Sequence, residues 1–283
     1  MKMSASDSAM LKLHLIYKLM DFPSYQGKWH HSTTVQQIQQ TQSSSSYTTY
    51  TTYTKMHFIL FGASGRTGQH VVSELLSQGH TAVALIRKTS SLSARPGLTI
   101  TTGSPLSKSD VKKALTAAQG LTPTAAIFTL NTVRKSDSPF AAQVSPPRFL
   151  ADSSANICAV LEEAGIRRIV VLSTAGVGDS WANLPMASKA FMGLTNVKYA
   201  LRDHEILDKE IRQTKMEWTL VRAMRLEYDD PKDKGEVKAV KELGSSGKGM
   251  GMTDCIDTSS AARFLVKTAV EGLYVKEAVV IKN

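Results

Sequence analysis

The sequence predicts a doubly wound parallel α/β sheet, helices on both faces, with a small C-terminal substrate region. Three observations predict it. From residue 55 onward, short apolar runs alternate with segments of helical periodicity, the pattern of successive βαβ units. The first apolar run, Phe58-Ile59-Leu60-Phe61, passes directly into Gly62, Gly65 and Gly68 at GxxGxxG spacing. A helical pattern follows those glycines, so the triplet lies between a strand and a helix, the context that gives it meaning.

The elements follow in order. Residues 56–61 read as the first strand. Residues 67–78 read as a helix with Val71, Val72, Leu75 and Leu76 on its inner face and Gly79 as its stop. A strand at 81–86 and a short strand at 98–101 come next, then a helix at 108–117 that Ser107 or Ser109 can cap. The fourth strand is expected at 125–130, a long helix at 147–164 before Gly165, and the fifth strand at 168–173. Residues 186–213 contain one or two helices. A strand at 218–221, a helix at 259–271 and a last strand at 278–281 close the chain. Ligands of such sheets bind beyond the carboxyl ends of the strands.

Residues 1–54 stand apart. Residues 32–54 are nearly all Ser, Thr, Gln and Tyr, from which no core can be built. Residues 10–20 (MLKLHLIYKLM) have amphipathic helical spacing. The segment has few acids and much Ser, as targeting peptides do, but no Arg, and Lys12, His14 and Lys18 interrupt what a secretory signal would need. We expect a disordered or spurious extension over 1–54, with Met56 a natural start, and one domain over 55–283.

Composition sets outer bounds. With 283 residues, 42% of them hydrophobic, the chain can bury a full core. No run of eighteen apolar residues exists, so no membrane span and no membrane partner is expected. Cys158 and Cys255 have no spacing for a metal site or disulfide framework, which points to a reducing, cytoplasmic setting. The net charge of +10 is spread along the chain without a basic block, so no nucleic-acid partner is expected; the charge serves as general attraction for anionic ligands. A monomer or homodimer acting on a small-molecule substrate fits these bounds.

The glycine stretch Gly62-Ala63-Ser64-Gly65-Arg66-Thr67-Gly68 is built as a phosphate cradle. Gly62 makes the tight turn, Gly65 lets the backbone approach a pyrophosphate, and Gly68 lets the helix lie against the sheet; this is a Rossmann-type dinucleotide site. The second strand ends in Ile86-Arg87-Lys88, and no acidic residue lies between Glu74 and Asp110. An NAD site places a carboxylate there, whereas an NADP site uses arginine, whose planar fork grips phosphate oxygens in pairs. Arg66, Arg87 and Lys88 therefore point to NADP(H).

The glycine loop, the stretch Val170-Val171-Leu172-Ser173-Thr174-Ala175-Gly176-Val177-Gly178, Asp203-His204-Glu205 and Trp218-Thr219-Leu220-Val221-Arg222 together resemble the atypical short-chain dehydrogenase/reductases. More narrowly they resemble the NAD(P)H-binding, NmrA-like group that includes biliverdin-IXβ reductase/flavin reductase. The resemblance covers residue 55 to the C-terminus. It implies that Leu130-Asn131-Thr132 passes near the cofactor riboses, and that Ser173 and Thr174 lie near the nicotinamide. Two positions depart from the group: Thr102-Gly103-Ser104 follows strand three where many relatives carry Asp, and Ala223 follows Arg222 where many carry Pro.

The Tyr-Lys pair of ordinary short-chain reductases, at YxxxK spacing, is missing. Pro185 precedes Lys189 by four residues, Asp203 follows Tyr199 by four, and the spacing from Tyr228 to Lys232 contains Pro231 and reads as chance. The remaining catalytic candidates are Thr174 and Ser173 as hydrogen-bonding hydroxyls, Lys189 at the nicotinamide ribose, and His204 as a proton donor. No metal site is expected. Glu205 and Asp208 read as a solvated face. Residues 223–257 read as a substrate loop whose stretch 228–252 is a mobile flap, Met250 and Met252 supplying an adaptable wall with Trp181 and Phe191 opposite. The expected function is NADPH-dependent hydride transfer to a small conjugated acceptor such as a quinone, flavin, enone or ketone. A non-catalytic NADP(H)-sensing regulator and a tailoring or isomerising enzyme of a specialised pathway are the alternatives.

Overall fold

The computed structural model describes residues 54–87, 92–118, 120–229 and 238–283. The expected N-terminal extension, apart from Thr54, lies outside these residues, as do Lys88 and Lys232.

The chain runs β1 (His57–Phe61), α1 (Arg66–Ser77), β2 (Thr81–Ile86), β3 (Leu98–Thr102), α2 (Lys108–Thr116), β4 (Ala125–Phe128), α3 (Phe149–Glu163), β5 (Arg168–Thr174), a 3-10 turn (Gly178–Trp181), α4 (Met186–Leu194), α5 (Val197–Ile211), β6 (Glu217–Ala223), β7 (Arg225–Glu227), β8 (Lys241–Glu242), β9 (Cys255–Asp257), α6 (Thr258–Glu271) and β10 (Glu277–Lys282). The large sheet has the order β3-β2-β1-β4-β5-β6-β10-β8. Its pairings are parallel apart from the edge pair β10–β8, which is antiparallel.

Alternation along the strands divides the core in two. Phe58 and Leu60 of β1 face the layer formed with Val71, Val72 and Leu75 of α1 and Leu265 and Val266 of α6. Ile59 and Phe61 face the other way, into Val111 of α2, Leu150, Ile157 and Leu161 of α3 and Leu207 and Ile211 of α5. A strand buried on both faces needs apolar side chains at consecutive positions, which is why β1 reads as an unbroken apolar run. Ser107 caps α2, its hydroxyl oxygen accepting from the Asp110 N–H at 3.3 Å.

Of the one or two helices expected at 186–213, the structure has two. Thr195 and Asn196 separate them, and the Asn196 amide donates to the Phe140 carbonyl at 2.8 Å. The substrate loop expected over 223–257 carries ordered structure in its described parts, on both sides of the flap expected at 228–252. Here β7 and β9 pair in parallel, with Leu226 opposite Ile256, and Met250 packs in a small cluster with Ala175, Leu184, Met224 and Val280. Strands of three residues are too short to show a period, so only the pairing reveals them.

Candidate functional site

The glycine loop sits at the carboxyl end of β1, beside the carboxyl end of its sheet neighbour β4. Gly62 has φ +91°, and a Cβ there would lie 2.6 Å from the carbonyl carbon of Thr129. A Cβ on Gly68 would collide with the Gly62 carbonyl oxygen and stand 2.8 Å from Ala63 Cα. Both glycines are thus required by backbone packing, and their bareness lets α1 begin close against β1. Gly65 is the N-cap of α1 and no side chain caps it. By contrast, Ser107 caps α2, and the Asp203 carboxylate accepts from Leu150 and Ala151 at the start of α3, at 2.9 and 3.1 Å. No acid lies in the first turn of α1. A helix N-terminus left bare of protein acceptors carries partial positive charge and N–H groups suited to a phosphate. The cradle fits a dinucleotide pyrophosphate.

Arg66, in the first turn of α1, donates to the Asp137 carboxylate at 2.8 Å, and its guanidinium lies 4.0 Å from the centre of the Tyr228 ring. It joins the glycine loop to the loop after β4 and to the segment after β7. Arg87 is exposed at the end of β2.

A cavity of about 230 Å³ opens at the carboxyl ends of β4, β5 and β6. Leu130, Asn131, Leu172, Ser173, Thr174, His204, Ala223, Met224, Arg225, Leu226 and Tyr228 line it. Four of the residues singled out in the sequence beyond the glycine loop, Leu130, Asn131, Ser173 and Thr174, come together here, and His204 joins them from α5. Two polar atoms of this lining, Ser173 Oγ and His204 Nδ1, are buried without a hydrogen-bond partner. Such atoms are costly to leave unpaired, so they mark where a ligand oxygen or N–H would be received. Thr174 is less available: its hydroxyl donates to the Ala175 carbonyl at 3.3 Å. A larger cleft of about 330 Å³ beside Arg212, Glu242 and Tyr274 contains none of these residues.

The helix α5 is fastened on both sides of His204. Asp203 ties it to the start of α3, and Glu205 accepts from the Gly178 N–H at 2.8 Å. Asp208 accepts from Arg222 at 2.7 Å and from Arg212 at 2.6 Å. Reading Glu205 and Asp208 as a solvated face is thereby corrected. Asp208 is buried, its partner Arg222 is fully buried, and Arg222 also meets Asp179 and the Ser245 carbonyl. The cause is tertiary, since β6 carries the arginine to the carboxylate.

Three other expectations fare differently. Lys189 is not in the cavity lining; its ammonium donates to the Ala182 carbonyl at 3.1 Å and faces the Trp181 ring. The peptide carbonyl satisfies it locally. Trp181 and Phe191 are exposed and do not line the cavity, and of the two methionines expected in its wall, Met250 is in the core and Met252 is exposed. Tyr228, set aside in the sequence as a chance match, does line it. Its signal was an aromatic a few residues beyond a strand's carboxyl end, which gains weight only once Arg66 is seen above its ring.

Burial pushes the His204 imidazole down to about 4 against an ordinary 6.5, with Asp208 acting weakly in the opposite sense. At neutral pH His204 is therefore uncharged and offers a hydrogen bond, not an acid. The folded pKa lies below the unfolded one, so between these values the unfolded chain holds more protons. Stability from this residue is complete above pH 6.5 and is lost as pH falls toward 4, by about 3 kcal/mol. Urea unfolding of the wild type and His204→Gln across that range should show the wild type losing the larger amount; parallel pH profiles would contradict the assignment.

A bare glycine cradle on a doubly wound sheet, with a lined cavity at the same strand ends, defines a dinucleotide-binding α/β protein. Residues 62–271 match the NAD(P)H-binding family, and the chain belongs to it. Among solved structures, it is similar to ChuY of Escherichia coli O157:H7, described as an anaerobillin reductase: 19% identity, TM-score 0.60, 80% of this chain and 96% of that one covered. It is also similar to a short-chain dehydrogenase/reductase of Veillonella parvula in complex with NADP, at 15% identity and TM-score 0.60, covering 81% and 95%. A third, the oxidoreductase ylbE of Lactococcus lactis, has 12% identity and TM-score 0.60, with 81% and 91% covered. At these identities the likeness is one of fold. A comparison with curated proteins gives no match.

Proposed function

We propose that the chain is an NADPH-dependent reductase that passes hydride to a small conjugated acceptor, such as a quinone, flavin, enone or ketone. The observation that carries this reading is the cavity at the ends of β4, β5 and β6, lined by polar and apolar residues in about equal measure, with Ser173 Oγ and His204 Nδ1 buried and unpartnered in its lining. Its volume is below the roughly 300–1,000 Å³ of drug-sized ligand sites, which favours a small ring system. Bound NADPH supplies the hydride.

The chain's own residues bind and orient. The N–H groups of Ala63, Ser64, Arg66 and Thr67 hold the pyrophosphate at the start of α1, that of Gly65 being donated to the Gly62 carbonyl. Arg66 and Arg87 receive the 2′-phosphate, Arg66 exchanging its exposed partner Asp137 for the phosphate. Leu130 and Asn131 border the riboses. Ser173 and His204 hydrogen-bond the acceptor oxygen, and Leu172, Met224 and Leu226 supply apolar wall against its ring. His204 is neutral and, among the described residues, no Tyr-Lys pair lines the cavity, so the proton comes from solvent and positioning supplies much of the rate. Similarity to structures described as reductases, one holding NADP, and to the NmrA-like reductases in sequence motif supports the same reading.

NADPH oxidation with a panel of quinones, flavins, enones and ketones tests it. At least one acceptor should be reduced, with NADPH preferred over NADH, and Arg87→Glu should remove the preference by about tenfold or more, the loss of one charge-assisted phosphate contact. Inactivity with the whole panel beside tight NADPH binding would sink the reductase and favour the redox-sensing alternative. An unchanged preference in Arg87→Glu would sink the role of Arg87.

A further inference from the structure

The helix α4 holds to the core through Met192 and carries a second apolar stripe on its outer side. Its apolar residues Met186, Ala187, Ala190, Phe191 and Leu194 fall on one stripe at helical spacing, and all of them are exposed, Met186 at 78% and Leu194 at 80%. Ser188, Lys189 and Met192 are the half-buried ones, Met192 packing against the Ala175 and Leu184 cluster, and no residue of the helix is fully buried. An isolated exposed leucine needs no explanation, but a whole apolar stripe facing solvent marks an interaction surface. Phe140, 69% exposed, extends the patch, because Asn196 at the end of α4 bonds the carbonyls of Pro139 and Phe140.

The chain segment that carries this stripe has charge of one sign, and Asp137, near Phe140, is paired with Arg66. From Ser180 to Arg202 the chain has no acidic residue, while Lys189, Lys198 and Arg202 stand within it. Lys198 and Arg202 are exposed and lie one turn apart on α5. Among the described residues, the ion pairs of this surface use other cations. An apolar stripe flanked by unneutralised cations matches a surface that is apolar within and anionic at its rim.

We propose that α4 and the Phe140 loop dock the protein on the surface of an anionic lipid bilayer, with Met186, Phe191, Leu194 and Phe140 entering the interface and Lys198 and Arg202 facing lipid phosphates. No described helix is long and apolar enough to cross a membrane, so the contact is peripheral. The expectation of no membrane partner rested on the absence of a span and does not bear on this mode. The proposal goes beyond the reductase reading and stands without it. It places the contact at the carboxyl-end side of the sheet, since α4 follows β5 through the 3-10 turn.

The test is co-sedimentation of the full chain with sucrose-loaded vesicles of phosphatidylcholine alone and of phosphatidylcholine mixed with phosphatidylglycerol. The wild type should bind the mixed vesicles, weakly or not at all the neutral ones, and should release in high salt. Met186→Asp with Leu194→Asp should weaken binding by about tenfold or more, by placing charge in the apolar boundary. Lys198→Glu with Arg202→Glu should weaken binding to the mixed vesicles alone. Both variants alter exposed side chains, and NADPH binding together with the thermal midpoint confirms that they fold. Absence of vesicle binding by the wild type overturns the proposal. So does binding that survives Met186→Asp with Leu194→Asp, which assigns the contact to another part of the chain. A wild-type dimer that this variant dissociates, without vesicle binding, assigns the stripe to a second copy instead.

Discussion

Gly68→Ala should weaken NADPH binding by at least about 100-fold, close to 3 kcal/mol. The added Cβ meets backbone on every near side: the Gly62 carbonyl, with its carbon at 2.8 Å, and Ala63 Cα at 2.8 Å. No flexible side-chain end is present to yield, so α1 must withdraw from β1. Its bare first turn then moves relative to Gly62, and displacement of a binding group by about 1 Å is enough for an effect of this size. Overpacking should also cost about 1–3 kcal/mol of stability. Gly193→Ala is the control, since a Cβ there meets nothing within 4 Å. It should leave binding alone and stabilise α4 by up to about 1 kcal/mol through helix propensity. Fluorescence titration with NADPH decides the matter; near wild-type affinity in Gly68→Ala would mean that the loop is not the cradle.

Asp208→Ala should be among the most destabilising single substitutions in the fold. Arg222 is completely buried and would lose its closest buried carboxylate. It would keep only Asp179, half exposed, and the Ser245 carbonyl. Removing one partner of a buried ion pair costs about 3–5 kcal/mol because the other charge stays in a poor medium. For a domain of this size that is a fall of about 10 °C in Tm. The double replacement Asp208→Leu with Arg222→Met removes both charges and should recover much of the loss. Denaturant unfolding of the single and double variants measures the difference, and a single variant within about 1 kcal/mol of wild type would show that the pair is not a buried anchor. The effect should also reach the cavity, because Asp208 lies one turn beyond His204 on α5 and fixes how that helix meets β6.

The cofactor loop was legible because its physics is local. An apolar run buried on both faces, a turn that requires glycine and a helix that starts against a strand all lie within a dozen residues, and the structure places each as read. Strand and helix positions followed for the same reason, with ends differing by one or two residues. The cavity was half legible. Leu130, Asn131, Ser173 and Thr174 sit at strand ends, which the topology alone sends to one edge. The choice between Ser173 and Thr174 was not in the sequence. Neighbouring hydroxyls differ only in what the folded backbone offers them, and the Ala175 carbonyl engages one and not the other.

The sequence by itself determined the doubly wound sheet, the glycine cradle and the run of cations without acids after the second strand, since period, glycine spacing and charge are properties of the chain as written. Tertiary structure alone decided that His204 is a neutral residue at the cavity while Lys189 stands outside it, that Tyr228 lies beneath Arg66, and that Asp208 is an ion-paired anchor and not a surface acid. Each of these depends on which distant element arrives beside the residue, and burial then sets its charge and its partners. The same holds for α4, whose apolar stripe reads in sequence like any helix turned to the core. Only the packed molecule shows that it faces outward.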